Sequence, residues 1–293
     1  MSEQRIKLSI ISVAYKSNAV IRKCLKSIEN FNDLGEQLEI IVVDNHPFDD
    51  EAFSCISSEF PRVRYINNPG NGGFGQGNNI GVRSSTGEFL LFLNPDTEII
   101  EPVFQFAVQQ FEGSQELAAF GMILCDENGN AFKQSYGLLP EKSGRIRLFL
   151  SKMLIDYFDF VPKGIYPWGA DLFIRKSIFE KIGGFDEQYF LCYEEPDLIR
   201  RIPDSYTIKI FPKKILHIGG HSLNLEGTNK RLEWFFDSEQ YYFNKYSLDY
   251  KKYARRMLLK LKFRQIISPI LRRRTNAGIE LIFDHYKSIS KSG

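Results

Sequence analysis

Residues 89–96 read Phe-Leu-Leu-Phe-Leu-Asn-Pro-Asp. Five consecutive apolar residues, closed by an amide, a proline and a carboxylate, describe a strand buried on both faces that stops abruptly. The same grammar recurs upstream. Residues 8–14 (LSIISVA) run into Tyr15, residues 38–43 into Asp44-Asn45, and residues 63–66 into Asn67-Asn68-Pro69. Between these runs the period changes to that of a helix. Residues 20–31 place Val20, Ile21, Cys24, Leu25 and Ile28 on one face, and helical patterns recur near 51–60 and 76–85. Strands alternating with helices predict a mainly parallel sheet covered on both faces. Ligands of such sheets bind beyond the carboxyl ends of the strands, where Tyr15, Asp44, Asn45, Asn67, Asn68, Asn94 and Asp96 collect.

Working outward, residues 118–124 predict a further strand and residues 126–130 (DENGN) a turn. Residues 135–164 fit no clean period and are read as a loop region on the acceptor side. Residues 214–216 predict a short strand ahead of His217.

Composition bounds the class. Of 293 residues, 43% are hydrophobic and 25% charged, ordinary values for a globular chain large enough to bury its own core. Cys24, Cys55, Cys125 and Cys192 are too far apart for a metal or redox motif, and read as reduced thiols of a cytoplasmic protein. No signal-peptide pattern opens the sequence, and no apolar run approaches the ~20 residues of a membrane span. The formal charge of +2 conceals an asymmetry. Residues 251–274 hold ten Lys or Arg and no acid, whereas the remainder holds 28 basic residues against 36 acids. This gives an expected division into a domain at 1–248 and a basic helical extension at 249–293.

Four clusters carry candidate chemistry, and each has a plain structural reading beside it. Residues 71–79 (NGGFGQGNN) lead into a helix, so they are either a glycine-rich turn or a cradle for an anionic diphosphate at a helix N-terminus. Asp96 could cap a turn or hold a hard divalent cation. Glu194, Glu195 and Asp197 crowd a helix start, where acids are commonly only stabilising, yet one could serve as a general base. His217 and His221 could be solvated loop residues or metal and phosphate contacts.

Taken together in order, these clusters resemble the family 2 glycosyltransferases, specifically the rhamnosyltransferase-like branch of bacterial surface polysaccharide synthesis. The carriers are residues 8–15 (LSIISVAY), 42–46 (VVDNH), 71–81 (NGGFGQGNNIG), 93–97 (LNPDT), 183–200 (GGFDEQYFLCYEEPDLIR) and 217–222 (HIGGHS). The chain departs mildly at Ala14 and Lys16, carries Tyr189 in place of a Phe, and has Pro196 where an apolar residue is usual. The resemblance extends over roughly residues 6–225.

The resemblance implies a GT-A-like nucleotide-sugar-binding sheet with a basic helical extension. It places the backbone near Ala14 and Tyr15 around the base, with Asp44 on the base or ribose. Asn71, Gly73 and Asn78 would lie against the donor, together with Asn94 and Asp96. Trp168 would face the sugar, with Asp171 beside it. Asp96 and His217 would hold a divalent cation, Mn²⁺ or Mg²⁺. Glu195 occupies the position of the catalytic base, with Glu194 and Asp197 adjacent. The implied reaction is inverting transfer from a nucleotide diphosphate sugar to a hydroxyl of a glycan or lipid-linked glycan. The alternative is a catalytically degenerate nucleotide-sugar-binding subunit. A nucleotidyltransferase would want a basic glycine-rich loop after the first strand, which residues 14–18 lack. The acidic body argues against nucleic acid. Residues 250–274 mix Tyr250, Tyr253, Met257, Leu258, Leu261 and Phe263 with basic residues, which predicts either a helix packed on the domain with a solvated basic face or, the reading favoured, an interfacial helix on the anionic inner face of the cell membrane.

Overall fold

The computed structural model describes residues 5–46, 56–132, 135–142, 150–151, 153–155, 161–218, 228–270 and 278–291. The chain divides into two compact units, Met1–Ser222 and Leu223–Gly293.

The first unit is built on a sheet of strands β1 (Leu8–Ala14), β2 (Leu38–Asp44), β3 (Val63–Asn67), β4 (Phe89–Leu93), β5 (Thr97–Ile99), β6 (Leu117–Cys125), β9 (Asp171–Arg175) and β10 (Thr207–His217). Their order is β3-β2-β1-β4-β9-β6-β10-β5. Two short strands, β7 (Tyr136–Leu138) and β8 (Ile165–Pro167), pair antiparallel beside it. The ladders β3-β2, β2-β1 and β1-β4 are parallel, as the alternation of the first hundred residues predicts. Beyond β4 the sheet is mixed: β9 runs antiparallel to both β4 and β6, β10 runs parallel to β6, and β5 antiparallel to β10.

Helices cover both faces. The alternation within β1, β2 and β4 sorts side chains by side. Leu8, Ile10, Val42 and Leu91 pack with α1 (Asn18–Asn30), while Ile11, Val43, Leu90 and Phe92 pack with α2 (Gly73–Ser84), α4 (Lys176–Lys181) and α5 (Glu194–Arg201). A further helix, α3 (Phe104–Gly113), buries Phe104, Ala107, Val108 and Phe111. The predicted face of α1 is buried throughout. Of the helix expected near 51–60, only its last residues are described; 51–55 lie outside the described residues. β10 is longer than the three-residue strand predicted. Pro212 and the three lysines Lys209, Lys213 and Lys214 interrupt its apolar pattern, and its register shifts between Ile210 and Lys214.

The register aligns the site. Ala14 pairs with Asp44, and Asp44 with Asn67, so the ends of these three strands lie level. Leu93, the last residue of β4, pairs with Asp171, the first of β9.

The second unit comprises α6 (Thr228–Lys245), α7 (Tyr250–Ile270) and α8 (Gly278–Lys291). It begins ahead of the boundary expected at 249, because α6 packs with α7 and α8. Its centre is aromatic: Tyr242, Phe243, Tyr253 and Tyr286 are buried, with Ala254 and Leu261. The outer side of α7 exposes Lys252, Arg255, Leu259, Lys262 and Phe263. Among the described residues, no helix is long and apolar enough to cross a membrane.

Candidate active site

The edge formed by the first strands makes an aromatic and amide-lined corner. Asn45 donates its backbone N–H to the Ala14 carbonyl at 2.8 Å, continuing the ladder past the end of β2. Asp44 Oδ1 accepts the His46 N–H at 2.9 Å, and burial raises its pKa against the opposing effect of that bond. The His46 ring stands edge-on to Tyr15 with centroids 5.7 Å apart, and Lys16 Nζ lies 5.0 Å from the Tyr15 ring. A flat heterocycle could stack on such a corner while a carboxylate accepts a ribose or base hydrogen bond. Sequence reading found Ala14, Tyr15 and Asp44 here. It did not single out His46, whose role depends on the turn after β2.

The glycine-rich segment serves packing first. A side-chain carbon at Gly77 would sit 2.8 Å from Val13 Cγ1, and one at Gly81 2.4 Å from Ile11 Cγ2, so α2 approaches β1 closely only because these positions are glycine. Gly73 has φ +88° and would place a Cβ 2.0 Å from the Phe190 carbonyl oxygen. The start of α2 is also engaged by the protein itself. Phe74 N–H donates to Phe190 O at 3.2 Å, and Gly72 N–H donates to Gln76 Oε1 at 2.9 Å. Asn68 Nδ2 bridges Gln76 Oε1 and Asn45 Oδ1, and Asn45 Nδ2 donates to Gly73 O at 2.9 Å. Asn71 adopts a left-handed φ of 37° beside this network. Asn78 is buried and donates to Phe74 O at 3.0 Å. Asn79 clasps the loop before α5, exchanging hydrogen bonds with the Phe185 backbone at 2.8 and 3.0 Å. The asparagines thus lock the segment to its neighbours, a function invisible in the local pattern.

Asn94, Asp96 and His217 converge where β4, β5 and β10 meet. Thr97 Oγ1 and N–H both donate to Asn94 O, closing a tight turn, and Asn94 N–H donates to Ala170 O at 3.1 Å. Asp96 is buried; its carbonyl accepts the Ile218 N–H, and its Oδ1 lies 3.4 Å from His217 Nε2. Two ligand atoms each about 2.1 Å from one ion stand roughly 3.0–3.4 Å apart, so this spacing suits adjacent ligands of a Mg²⁺ or Mn²⁺. Among the described residues no third carboxylate, cysteine or histidine joins them. That suits an ion bound by one or two protein groups and completed by phosphate oxygens. His221 lies outside the described residues.

The acidic cluster opens α5. Cys192 and Tyr193 both take left-handed φ, 69° and 71°, an uncommon pair for residues with side chains. This turn aims Glu194 and Glu195 differently. Glu195 is half-buried, and its Oε1 accepts the Gly169 N–H at 2.8 Å. Glu194 is 2% exposed, and its Oε1 has no hydrogen-bond partner. Burial pushes both carboxyls above the usual glutamate range, Glu194 well above it, with the Glu195 and Asp197 charges adding to the effect. Asp197 is differently employed. Its Oδ2 receives Arg201 Nε at 2.8 Å and its Oδ1 the Tyr189 hydroxyl at 3.3 Å, while Arg201 also reaches the Ile182 and Gly184 carbonyls. Asp197 therefore anchors the helix to the preceding loop through its i, i+4 pair with Arg201. Pro196 sits in the first turn, where its missing N–H costs no helical bond. Trp168 is partly buried against the core. Asp171, expected beside the sugar, is instead fully buried: Oδ2 accepts the Met122 N–H at 2.6 Å, and Oδ1 has no partner.

An aromatic corner at Tyr15 and His46, a carboxylate–imidazole pair at Asp96 and His217, and a glutamate held at Gly169 lie among the strand ends of one α/β sheet. Residues 9–183 match the family described as Glycosyl transferase family 2, and the chain belongs to that family. It is 29% identical over 208 residues to the low-salt glycan biosynthesis hexosyltransferase Agl10 of Haloferax volcanii, the match covering 66% of this chain and 61% of that protein. It is 28% identical over 205 residues to the rhamnosyltransferase WbbL of Escherichia coli K12, covering 66% and 75%. It is 30% identical over 169 residues to a Campylobacter jejuni GalNAc(5)-diNAcBac-PP-undecaprenol beta-1,3-glucosyltransferase, covering 54% and 52%. The match to the Haloferax and Campylobacter proteins thus spans between half and two thirds of their length. Among solved structures the fold matches GalNAc-T7 with UDP, GalNAc and Mn²⁺ (TM-score 0.58, 14% identity, covering 74% of this chain and 44% of that one). It also matches S. aureus TarS with UDP-GlcNAc (TM-score 0.55, 15% identity, covering 97% and 72%). At these identities the likeness is one of fold, the GT-A architecture.

Proposed function

We propose that this chain is an inverting glycosyltransferase that moves a sugar from a nucleotide diphosphate donor to a hydroxyl of a lipid-linked glycan. The observation that carries this reading is Glu195 held by the Gly169 N–H, with its other oxygen left to take a proton. Its raised pKa brings it nearer to the range in which a carboxylate accepts a proton usefully. The acceptor hydroxyl gives its proton to Glu195. Its oxygen forms a bond to the anomeric carbon, and the bond from that carbon to the donor diphosphate breaks, the electron pair leaving with the diphosphate. One displacement inverts the centre and needs no enzyme nucleophile. A divalent cation held by Asp96 and His217 would neutralise charge on the leaving diphosphate. Tyr15, Asp44 and His46 fit the nucleoside, and Asn94 lies between Asp96 and the loop of Gly169.

The names of the relatives support glycan assembly, and that of the Campylobacter protein carries a PP-undecaprenol-linked glycan. The outer side of α7 supports attachment to an anionic membrane face. Leu259 and Phe263 are 68% and 50% exposed among Lys252, Arg255 and Lys262. The deciding assay offers a panel of nucleotide sugars with Mn²⁺ and follows nucleotide diphosphate release. At least one donor should be turned over, faster with a prenyl-diphosphate glycan acceptor. Donor binding without turnover by any acceptor would leave a binding subunit instead. Sedimentation with vesicles containing anionic lipid should weaken at high salt and in Leu259→Gln/Phe263→Gln. Unchanged sedimentation would detach this helix from the membrane.

A further inference from the structure

The turn from Trp168 to Asp171 closes when Asp171 N–H donates to Trp168 O at 3.3 Å. Different elements hold it at successive residues. Gly169 N–H donates to Glu195 Oε1 at 2.8 Å, which ties the turn to α5. Ala170 O accepts the Asn94 N–H at 3.1 Å, which ties it to the segment that carries Asp96. Asp171 Oδ2 accepts the Met122 N–H at 2.6 Å, which ties it to β6. The fit is close. A Cβ at Gly169 would lie 2.6 Å from Glu195 Oε1 and 3.0 Å from Phe74 Cζ, and one at Gly121 would lie 2.7 Å from Pro167 Cβ.

The attachment to β6 is made by a side chain where a strand has ended. The ladder between β6 and β9 comprises the pairs Ala119–Ile174 and Phe120–Phe173. Past it, Asp171 receives Met122, and Ser135 Oγ receives the Leu124 N–H at 2.8 Å. Ser135 does so with a single hydroxyl. Asp171 brings a second oxygen, Oδ1, into a fully buried place where it has no partner. An orphaned buried oxygen costs stability. Burial also raises the pKa of this carboxyl well above the usual aspartate range, against the opposing effect of the Met122 bond. Asp171 is therefore a neutral acceptor with a longer reach than a hydroxyl, kept at a cost beside the loop that touches Glu195.

We propose that Asp171 is a positioning residue of the transfer reaction, which acts through the turn it closes to keep the Gly169 N–H on Glu195. The inference rests on the transferase reading, in which Glu195 is the base. Asp171 needs no contact with donor or acceptor for this role. With the anchor on Met122 lost, the turn is free to shift and the Gly169 N–H to leave the carboxylate. Donation to a carboxylate favours its charged form, so loss of that bond raises the pKa of Glu195. A general base must be ionised to take a proton, so turnover then falls away at a higher pH than in the unaltered chain. Glu194 and Asp197, the other acids at the start of α5, and the uncharged Phe74 of α2 stay as they are.

The experiment follows the carboxyl carbon resonance of Glu195 by NMR across pH in the full chain, the signal being identified by its loss in Glu195→Gln. Asp171→Leu keeps the volume without an acceptor, and Asp171→Ser leaves a hydroxyl one bond short. Each should move the Glu195 midpoint up by about one pH unit, the scale of one hydrogen bond to a charged group. Asp171→Asn keeps a neutral acceptor at the same reach and should leave the midpoint in place. Asp171→Ser carries the test where Asp171→Leu does not fold. Glu239→Ala loses stability in the other unit and should not move the midpoint, which separates lost stability from lost positioning. The acid limb of turnover should be displaced as the resonance is. A midpoint unmoved in both Asp171→Leu and Asp171→Ser, or moved equally in Asp171→Asn, would overturn the proposal. Absence of turnover by the unaltered chain with every donor would strike the transferase reading instead, and the resonance would still decide whether Asp171 governs the bond from Gly169.

Discussion

Two buried glutamates, one in each unit, have opposite surroundings. Glu239 in α6 is fully buried and satisfied: the Tyr250 and Tyr286 hydroxyls donate to its two oxygens at 2.9 and 3.1 Å. Tyr250 also meets His285 Nε2 at 2.9 Å, and that imidazole stacks on Phe236 with centroids 3.6 Å apart. Glu194 in α5 is equally buried, yet one of its oxygens has no partner and a second carboxyl follows it in sequence. A satisfied buried carboxylate organises a core, whereas an orphaned one beside another acid is a cost retained for another purpose. On the proposed reading the first is a structural cluster and the second a chemical one.

The contrast is tested most severely at Glu195. Glu195→Gln keeps the hydrogen-bond geometry to Gly169 and removes basicity, so turnover should fall by about 10²–10⁴ while donor affinity holds. Near-normal turnover would transfer the role to Glu194. Next in size is Glu239→Ala, which strands the buried Tyr286 hydroxyl at about 1–3 kcal/mol and leaves the Tyr250 hydroxyl only its contact with His285. Hydrogen exchange should accelerate across α6 and α8, while turnover per folded molecule stays unchanged. A turnover loss comparable to that of Glu195→Gln would erase the distinction between the two clusters.

Asp96→Ala and His217→Ala test a third arrangement, a pair of groups sharing one ligand. Each should remove the Mn²⁺ dependence of donor affinity, lowering affinity by roughly tenfold or more, as loss of a ligand's support does at metal sites. Calorimetry with and without the ion reads this directly, and retained ion dependence would dissolve the pair.

The smallest effect belongs to Glu194→Gln. Burial raises the native pKa of Glu194 above its unfolded value. The native state then holds a proton that the unfolded state has lost, so stability declines as pH rises through the window between the two values. Gln mimics the protonated form. The variant should raise the unfolding midpoint at neutral pH by about 2–4 °C, the effect of ~1 kcal/mol in a chain of this size. That advantage should vanish below the ordinary glutamate pKa, and a constant difference across pH would show Glu194 to be paired after all. The acid limb of turnover should stay above the usual carboxylate range in this variant, because burial is the leading cause of the raised pKa of Glu195.

Much of this molecule was legible in the linear sequence because the determining interactions are local. Short apolar runs closed by polar residues marked β1 to β4, and the 3.6-residue spacing marked α1 and α2. Abrupt polar endings placed Asp44, Asn94 and Asp96 at strand ends. Other features depended on contacts across many residues. β10 was underestimated because its inward and outward positions change at a bulge opposite β6. The glycines of α2 read as either a turn or a phosphate cradle; that their absent side chains also make room for Ile11, Val13 and Phe190 depends on residues a sequence window never brings together. Asp171 lies three residues from Trp168 in the chain and yet turns into the sheet to accept the Met122 N–H. Glu194 and Glu195 are adjacent and chemically alike; the left-handed turn at Cys192 and Tyr193 directs one under α2 and the other to Gly169. Periodicity records which side of an element is apolar, but the environment of a carboxylate is set by whichever distant groups the fold brings against it.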